Sequence, residues 1–409
     1  MIPFSPPRMD QKIINEVVDT LKSGWITTGP KTKKFEKCLT AYSGNKATLA
    51  VNSNTIGLEV VLRWFGVGEG DEVIVPAYTY CATANVIVHC GAKPVMVDVN
   101  ADDFNISVEG IRKAITSRTK VIIPVDLGGM PCDYDAISEL IRSSDIRKMF
   151  AATTEEQKKL GRILVLSDSA HSIGAEYKGR KAGSLADVSV FSFHAVKNLT
   201  TAEGGAIMLN LPEPFDNEEV YRYLCTYTLH GQNKDALAKT KKGAWRYDVL
   251  VSGFKGNMTD IQASIGIVEL ERYERDTLVY RERIFKKYEE AFSKYAWAQL
   301  PIYKTADKKS SYHVYCLRIK EITEEQRDEI IQKIFDRDVA VNVHFQPLPL
   351  LSAFGNKGYR IENYPTSYDN YSREISLPVW YGLTDGMVDE VVATVVKSVE
   401  EVINLEKIK

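Results

Sequence analysis

Three features are missing from this chain of 409 residues, and each absence narrows its function. The six cysteines (Cys38, Cys81, Cys90, Cys132, Cys225 and Cys316) are scattered, with no CxxC pair. That excludes a disulfide framework and a cysteine-based zinc site, and fits reduced thiols in a cytoplasmic protein. No metal site is read from the sequence. No apolar run is long enough to span a bilayer. Prolines interrupt MIPFSPPRMD, where a signal peptide carries an apolar helix. No membrane partner is therefore expected. Charge of neither sign dominates. The formal net charge is −2, so no basic field exists to hold nucleic acid. What remains has 44% hydrophobic and 26% charged residues, the composition of a globular chain long enough for a large domain and a smaller one.

Strand and helix signals alternate from Ala47 onward. The runs ATLAV, EVIVP, PVMVDV, VIIPV and RILVL read as buried strands, with helical spacing between them. That alternation predicts an α/β chain with a mainly parallel sheet. A long helix is expected from about Ile261 to Tyr288, capped by the GNMTD run. The domain division is placed there, as 1–270 and 271–409. After it, YHVYCLRI and VAVNVHF (339–345) alternate like strands, and Met387 to Ile403 reads as a closing helix. The charged stretch Ser143 to Lys159 is expected at the surface as additional helix or loop.

Four places carry chemistry. In FSFHAVKNLTTAEGG, an apolar strand ends in Ser192, His194 and Lys197, and a Glu203-Gly204-Gly205 turn follows. A lysine at a strand end is a solvated loop residue, a point charge for phosphate, or a nucleophile after losing its proton. The strand RILVL ends at SDSAH, which puts Asp168 and His171 at a second strand end; the alternative is a helix cap with a satisfied histidine. Asn52-Ser53-Asn54-Thr55 opens a helix, whose free N–H groups make either an anion cup or simply a capped terminus. Tyr80 follows a further strand. Asp168 and Lys197 are 29 residues apart, which fits two strands of one sheet. Together an amine, a carboxylate, an anion cup and an aromatic ring match the needs of pyridoxal 5'-phosphate.

The ordered motifs SGWITTGPKTKKFE, VNSNTIGLE, GEGDEVIVPAYTYCATAN, GAKPVMVDV, SDSAHSIGAEYKGRKAGSLADVSVFSFHAVKNLTTAEGGAI, GNMTDIQASIGIVELE and ISLPVW span nearly the whole chain. In them the sequence resembles the DegT/DnrJ/StrS family of sugar aminotransferases. The resemblance implies the fold type I architecture of pyridoxal-phosphate-dependent transferases: a large domain with a mainly parallel seven-stranded sheet, and a smaller C-terminal α+β domain. It implies that Lys197 holds the cofactor as a Schiff base, Asp168 pairs with its pyridine nitrogen, and His171 contacts its ring or phenolic oxygen. Thr55 and Ile56 match the backbone phosphate cup, with Asn54 adding bulk and donors to it. Ser192 matches a side-chain phosphate donor, Tyr80 the stacking ring, and His194 lies in the cofactor motif. Asn257 matches a phosphate contact that crosses from a second subunit, which implies a homodimer. His230, Trp245, Arg246 and His344 fall in regions that line the acceptor site in relatives; Trp245 is read as a packing residue. TAEGG stands where TGEGG is commoner.

The implied reaction moves an amino group from an amino acid, L-glutamate, to a nucleotide-linked 3- or 4-keto-6-deoxy sugar. The alternatives are a keto-cyclitol or aminoshikimate-type acceptor, and a regulator that binds the cofactor without turnover. Lys197 itself argues for transamination, because the dehydrating branch of the family carries histidine there.

Overall fold

The structure, a computed structural model, describes residues 1–233 and 246–406. Trp245 and the basic 234–242 segment lie outside the described residues.

The chain opens with helices α1 (Gln11–Ser23) and α2 (Pro30–Ser43), each closed by a left-handed glycine, Gly24 and Gly44. A central sheet follows. Its strands are β1 (Ala47–Val51), β2 (Glu72–Pro76), β3 (Lys93–Val97), β4 (Thr119–Ile122), β5 (Leu164–Asp168), β6 (Val188–Ser192) and β7 (Gly205–Leu209). The seven lie in the order β1-β7-β6-β5-β4-β2-β3. The run from β6 to β3 is parallel, while β7 is antiparallel to both its neighbours. Every residue of β1, β2, β4, β5 and β7 is buried, as a sheet covered on both faces requires. Helices α3 (Asn54–Trp64) and α4 (Cys81–His89) follow β1 and β2, so their N-termini meet at the carboxyl edge of the sheet. The mainly parallel α/β architecture expected from the sequence is present.

The expected long helix forms as α5 (Asp260–Arg272), a π turn at Tyr273–Thr277, and α6 (Leu278–Phe292). Its first residue, the buried Asp260, accepts hydrogen bonds from Gly29 N, Lys31 N, Thr32 N and Thr32 Oγ1. One carboxylate thereby anchors the TTGPKT loop at the start of α2. The C-terminal part has a three-stranded antiparallel sheet, β8 (Ala298–Gln299), β9 (Tyr315–Ile319) and β10 (Glu374–Leu377). It is covered by α7 (Glu324–Phe335) and α8 (Asp385–Glu406). One apolar cluster joins Phe35, Phe191 and Tyr273 to Phe285, Tyr315, Leu317, Val391 and Val395, so the smaller sheet is packed onto the lysine side of the larger one.

One expectation changes. The run 339–345 is not a strand. It makes isolated bridges at Val339 with Ile2 and at Asn342 with Ser376. The backbone of His344 instead bonds to side chains, its N–H to Glu374 Oε2 at 3.0 Å and its carbonyl to Tyr78 OH at 2.8 Å. Alternation without a partner strand gives no ladder. The 143–159 stretch forms two short helices, Ser144–Met149 and Glu155–Leu160.

Candidate active site

A cavity of about 530 Å³ opens at the carboxyl edge of the large sheet. Its lining includes Ser53, Asn54, Thr55, Tyr80, Asp168, His171, Ser192, His194 and Lys197, together with His313, His344 and Phe345 from the smaller part. The sheet explains why the first set converges. Asp168 and Ser192 are the last residues of neighbouring parallel strands, and β1 delivers Ser53 two positions past its own end. Gly205 pairs with Ser192 on one side and Val51 on the other. A Cβ there would lie 2.6 Å from Phe191 O and 2.7 Å from Asn54 N, so only glycine lets β7 pass between those two strand ends.

Asp168 is buried, and burial pushes its pKa up. Three donors oppose that by holding the carboxylate: Thr83 Oγ1 at 2.8 Å on Oδ2, and Asn54 Nδ2 at 3.1 Å and Ala170 N at 3.3 Å on Oδ1. Lys197 Nζ has no hydrogen-bond or ion-pair partner among the described residues. Desolvation lowers its pKa to about 8, against the pull of Asp168. A free amine and a carboxyl group held by three donors thus face one cavity, the amine with its pKa lowered towards neutrality.

His171 is buried, and its Nδ1 accepts from Gly128 N at 3.3 Å, which leaves the ring hydrogen on Nε2. Its ring lies 4.3 Å from that of His313 and stacks at 27° on Phe345, 5.7 Å away. Burial holds His171 and His313 well below the usual histidine range, so both are neutral. His313 Nδ1 is 2.7 Å from Asn198 Oδ1, and Asn198, next to the lysine, donates to Ser311 O at 2.7 Å.

The remaining expected residues divide. Tyr80 lines the mouth, 59% exposed, with Phe345 5.7 Å away. His194 is exposed and 3.6 Å from Glu203. Thr55 lines the cavity, but Ile56 does not; its N–H is capped by Ser53 Oγ at 3.2 Å. The Asn54 side chain does not thicken the cup. It turns inward to Asp168 and to Val190 O, at 2.8 Å, because an amide buried beside a carboxylate and a strand-end carbonyl satisfies both. His344 lines the cavity. Asn257 lies outside it, bound to Thr28 Oγ1 and Lys255 Nζ, each at 2.5 Å. His230 and Arg246 are exposed and do not reach the cavity within one chain.

The profile of the DegT/DnrJ/EryC1/StrS aminotransferase family matches residues 7–396. The chain belongs to that family. Spr1654 of Streptococcus pneumoniae, provisionally assigned as a sugar aminotransferase, superposes with a TM-score of 0.94 at 46% identity in its PMP form, over 98% of this chain and 100% of its own. Its PLP form gives 0.93 at 45% identity, over 98% and 99%. MJ1066 of Methanocaldococcus jannaschii, itself uncharacterised, is 40% identical over 98% of both chains. The spore coat polysaccharide biosynthesis protein SpsC of Bacillus subtilis is 35% identical over 96% of both.

This family member is an aminotransferase that depends on pyridoxal phosphate. Its cavity fits the cofactor: the volume lies in the range of small-molecule sites, and a buried carboxylate and a free lysine amine share it. Thr83, Asn198, His313 and Phe345 are not singled out by the sequence reading. Thr83 was findable, three residues past Tyr80 on the first turn of a helix whose N-terminus faces the site. His313 was not, because its place depends on how the two sheets pack.

Proposed function

We propose that this aminotransferase moves an amino group from an amino acid, L-glutamate, to a keto-sugar carried on a nucleotide, a 3- or 4-keto-6-deoxy sugar. The observation that carries the reading is the free Lys197 amine sharing one cavity with the clamped Asp168 carboxylate. The sugar acceptor is supported by the description of Spr1654 and by the polysaccharide role of SpsC.

When bound, the cofactor supplies an electron sink for the amino-bearing carbon. The chain supplies position and protons. Lys197 is the anchoring amine and, once freed, the base and acid: with its pKa lowered to about 8, Nζ takes and returns a proton near neutral pH. Asp168 would hold the cofactor at its pyridine nitrogen and keep that nitrogen protonated. Its Thr83 and Asn54 donors fix the carboxylate's direction. His171 and Tyr80 would hold the ring, and Ser192, His194 and Thr55 would hold the phosphate. Asn257, His230 and Arg246 lie outside this cavity and serve it from the second copy of a homodimer. Arg246 suits a diphosphate, since a guanidinium matches phosphate oxygens. A cytoplasmic location is part of this proposal, and the scattered, unpaired cysteines support it. Among the described residues no helix is long and apolar enough to cross a membrane.

The test is product analysis with UDP-, dTDP- and GDP-linked keto-sugars and L-glutamate, for the wild type and Lys197→Ala. Amination of one nucleotide-sugar is expected in the wild type, with turnover lost in Lys197→Ala. Full turnover in Lys197→Ala would sink the mechanism. Amination of a free keto-cyclitol in place of every nucleotide-sugar would replace the acceptor.

A further inference from the structure

Behind His344 lies a buried chain of polar groups that the chemistry above leaves unused. Glu374 and Ser376 are alternate residues of β10, so their side chains project from one face of the small sheet. Ser376 Oγ is 2.5 Å from Glu374 Oε1 and 2.9 Å from His344 Nδ1. Glu374 Oε2 accepts the backbone N–H of His344 at 3.0 Å. Both strand residues are fully buried, and Glu374 has no ion pair among the described residues. The His344 ring is fixed by stacking on Phe4 at 5.6 Å and 18°, and by Phe345 at 4.9 Å. With Nδ1 engaged, Nε2 is the ring nitrogen left for the cavity.

We propose that Glu374 and Ser376 form a proton relay that sets which ring nitrogen of His344 carries hydrogen, and so whether the cavity wall offers the substrate a donor or an acceptor. The backbone N–H fixes the direction. It occupies Oε2, so the proton of neutral Glu374 must sit on Oε1. That proton is donated to Ser376 Oγ, the hydroxyl is donated to His344 Nδ1, and Nε2–H faces the cavity. When Glu374 is ionised, Oε1 accepts from Ser376, and Oγ accepts from Nδ1–H. Nε2 then presents a lone pair. The balance is one proton: the carboxyl proton passes to Oγ, the hydroxyl proton to Nδ1, and the Nε2 proton leaves to solvent.

The surroundings support the switch. Burial raises the Glu374 pKa to about 8. Desolvation and the charge of Lys197 lower that of His344 to about 3, so its ring stays neutral and only the tautomer changes. Around Glu374, Arg327 on α7 has its guanidinium on the carbonyls of Tyr371 and Glu374 and on Asp328. Arg318 and Cys316 on β9 and the Tyr78 hydroxyl complete the charged and titratable neighbours. Around His344 stand Lys197, His171 and His313. An Nε2–H suits a carbonyl or phosphate oxygen; a lone pair suits a hydroxyl or an ammonium. Assigning this wall to the acceptor rests on the function proposed above, whereas the relay does not.

The test is a pH titration from 6 to 10 of the holoenzyme labelled with 15N-histidine, read by long-range 1H–15N spectra, with His344 assigned through His344→Gln. The wild type should pass from Nε2–H to Nδ1–H with a midpoint near 8. In Glu374→Gln the amide oxygen takes the backbone N–H and the NH2 faces Ser376, so Nε2–H should persist throughout. In Ser376→Ala the midpoint should vanish. A single His344 tautomer across the range in the wild type, or an unchanged midpoint in either variant, overturns the relay. The wild-type titration decides alone if a variant fails to fold. The readout needs no turnover, so failure of the acceptor assignment leaves a separate signature.

Discussion

The cavity has two walls built by different rules. On the sheet wall, each functional group sits at or just past the end of an apolar strand: Ser53 after β1, Asp168 on β5, Ser192 on β6, and Lys197 five residues later. On the opposite wall, His313, His344 and Phe345 sit on irregular chain flanking β9 and β10. Parallel strands deliver their ends to one edge whatever the loops do, so the first wall is set by local sequence. The second exists only once the small sheet packs through Phe285 and Tyr315 onto the lysine side. The amine and the carboxyl group are on the first wall, and the titratable side chains of the second are the neutral, desolvated imidazoles of His313 and His344.

The strongest way to break this contrast is at Asp168. Asp168→Asn removes the charge with the shape kept, and should lower turnover roughly 10²- to 10³-fold, as expected for losing a preorganised electrostatic partner. His313→Gln should cost far less. Steady-state amino transfer measures both, and equal losses would erase the distinction between the walls. Next come the donors on the carboxylate. Thr83→Val leaves Oδ2 without its 2.8 Å partner in a buried place, at a cost of about 1–3 kcal/mol in stability. Asn54→Ala should cost a similar amount or less, because it removes one donor each from Asp168 Oδ1 and Val190 O, which keep Ala170 N and Ser169 N. Urea unfolding of the apoprotein reads these changes. No loss in Asn54→Ala would return Asn54 to the role of cup residue.

Legibility follows the same division. Asp168, His171, Ser192 and Lys197 could be placed at one sheet edge from the sequence because strand, strand end and polar group are contiguous in it. The Asn54 position was found but its role misread: a residue in an N-cap run reads as an anion donor, and nothing local shows that its amide reaches across to β5. The 339–345 run failed differently. Alternation predicts a strand, but His344 gives its backbone groups to Glu374 and Tyr78. Those partners are remote in sequence, so no local pattern reveals them. The fold class was legible because it rests on the repeated alternation of buried strands and amphipathic helices, which no single long-range contact controls.

The walls also differ in the sign of their pH dependence, which sharpens the comparison at smaller amplitude. Lys197 has its folded pKa depressed from 10.5 to about 8. The unfolded chain therefore binds more protons between those values, so the contribution of Lys197 to apoprotein stability rises with pH across 8 to 10.5. Glu374 has its folded pKa raised from 4.5 to about 8. The folded chain binds more protons there, so its contribution is present below 4.5 and is lost as pH rises to 8. Lys197→Met should flatten the upper window, and Glu374→Gln the lower one. Unfolding midpoints measured against pH read both, and a Glu374→Gln profile parallel to wild type would remove the carboxyl from the account.

The smallest effect expected lies in the turn after the lysine, on the sheet wall. Ala202 stands in TAEGG, and its φ is 69°. That left-handed conformation costs a non-glycine residue about 1–2 kcal/mol, because Cβ crowds the carbonyl. The strain persists because the turn is fixed on both sides. Ala202 N donates to Thr200 Oγ1 at 2.9 Å, and Phe193 N donates to Gly204 O at 2.8 Å as β7 begins. Ala202→Gly should relieve the crowding but lose about 0.4–1 kcal/mol to the greater freedom of the unfolded chain. A net gain on the order of 0.5–1 kcal/mol is expected, read as a raised urea midpoint with an unchanged slope and unchanged turnover. A loss of stability would mean that the alanine methyl packs favourably enough to outweigh its own backbone strain, and that the loop carrying the lysine is held by side-chain contact as well as by the hydrogen bonds of the turn.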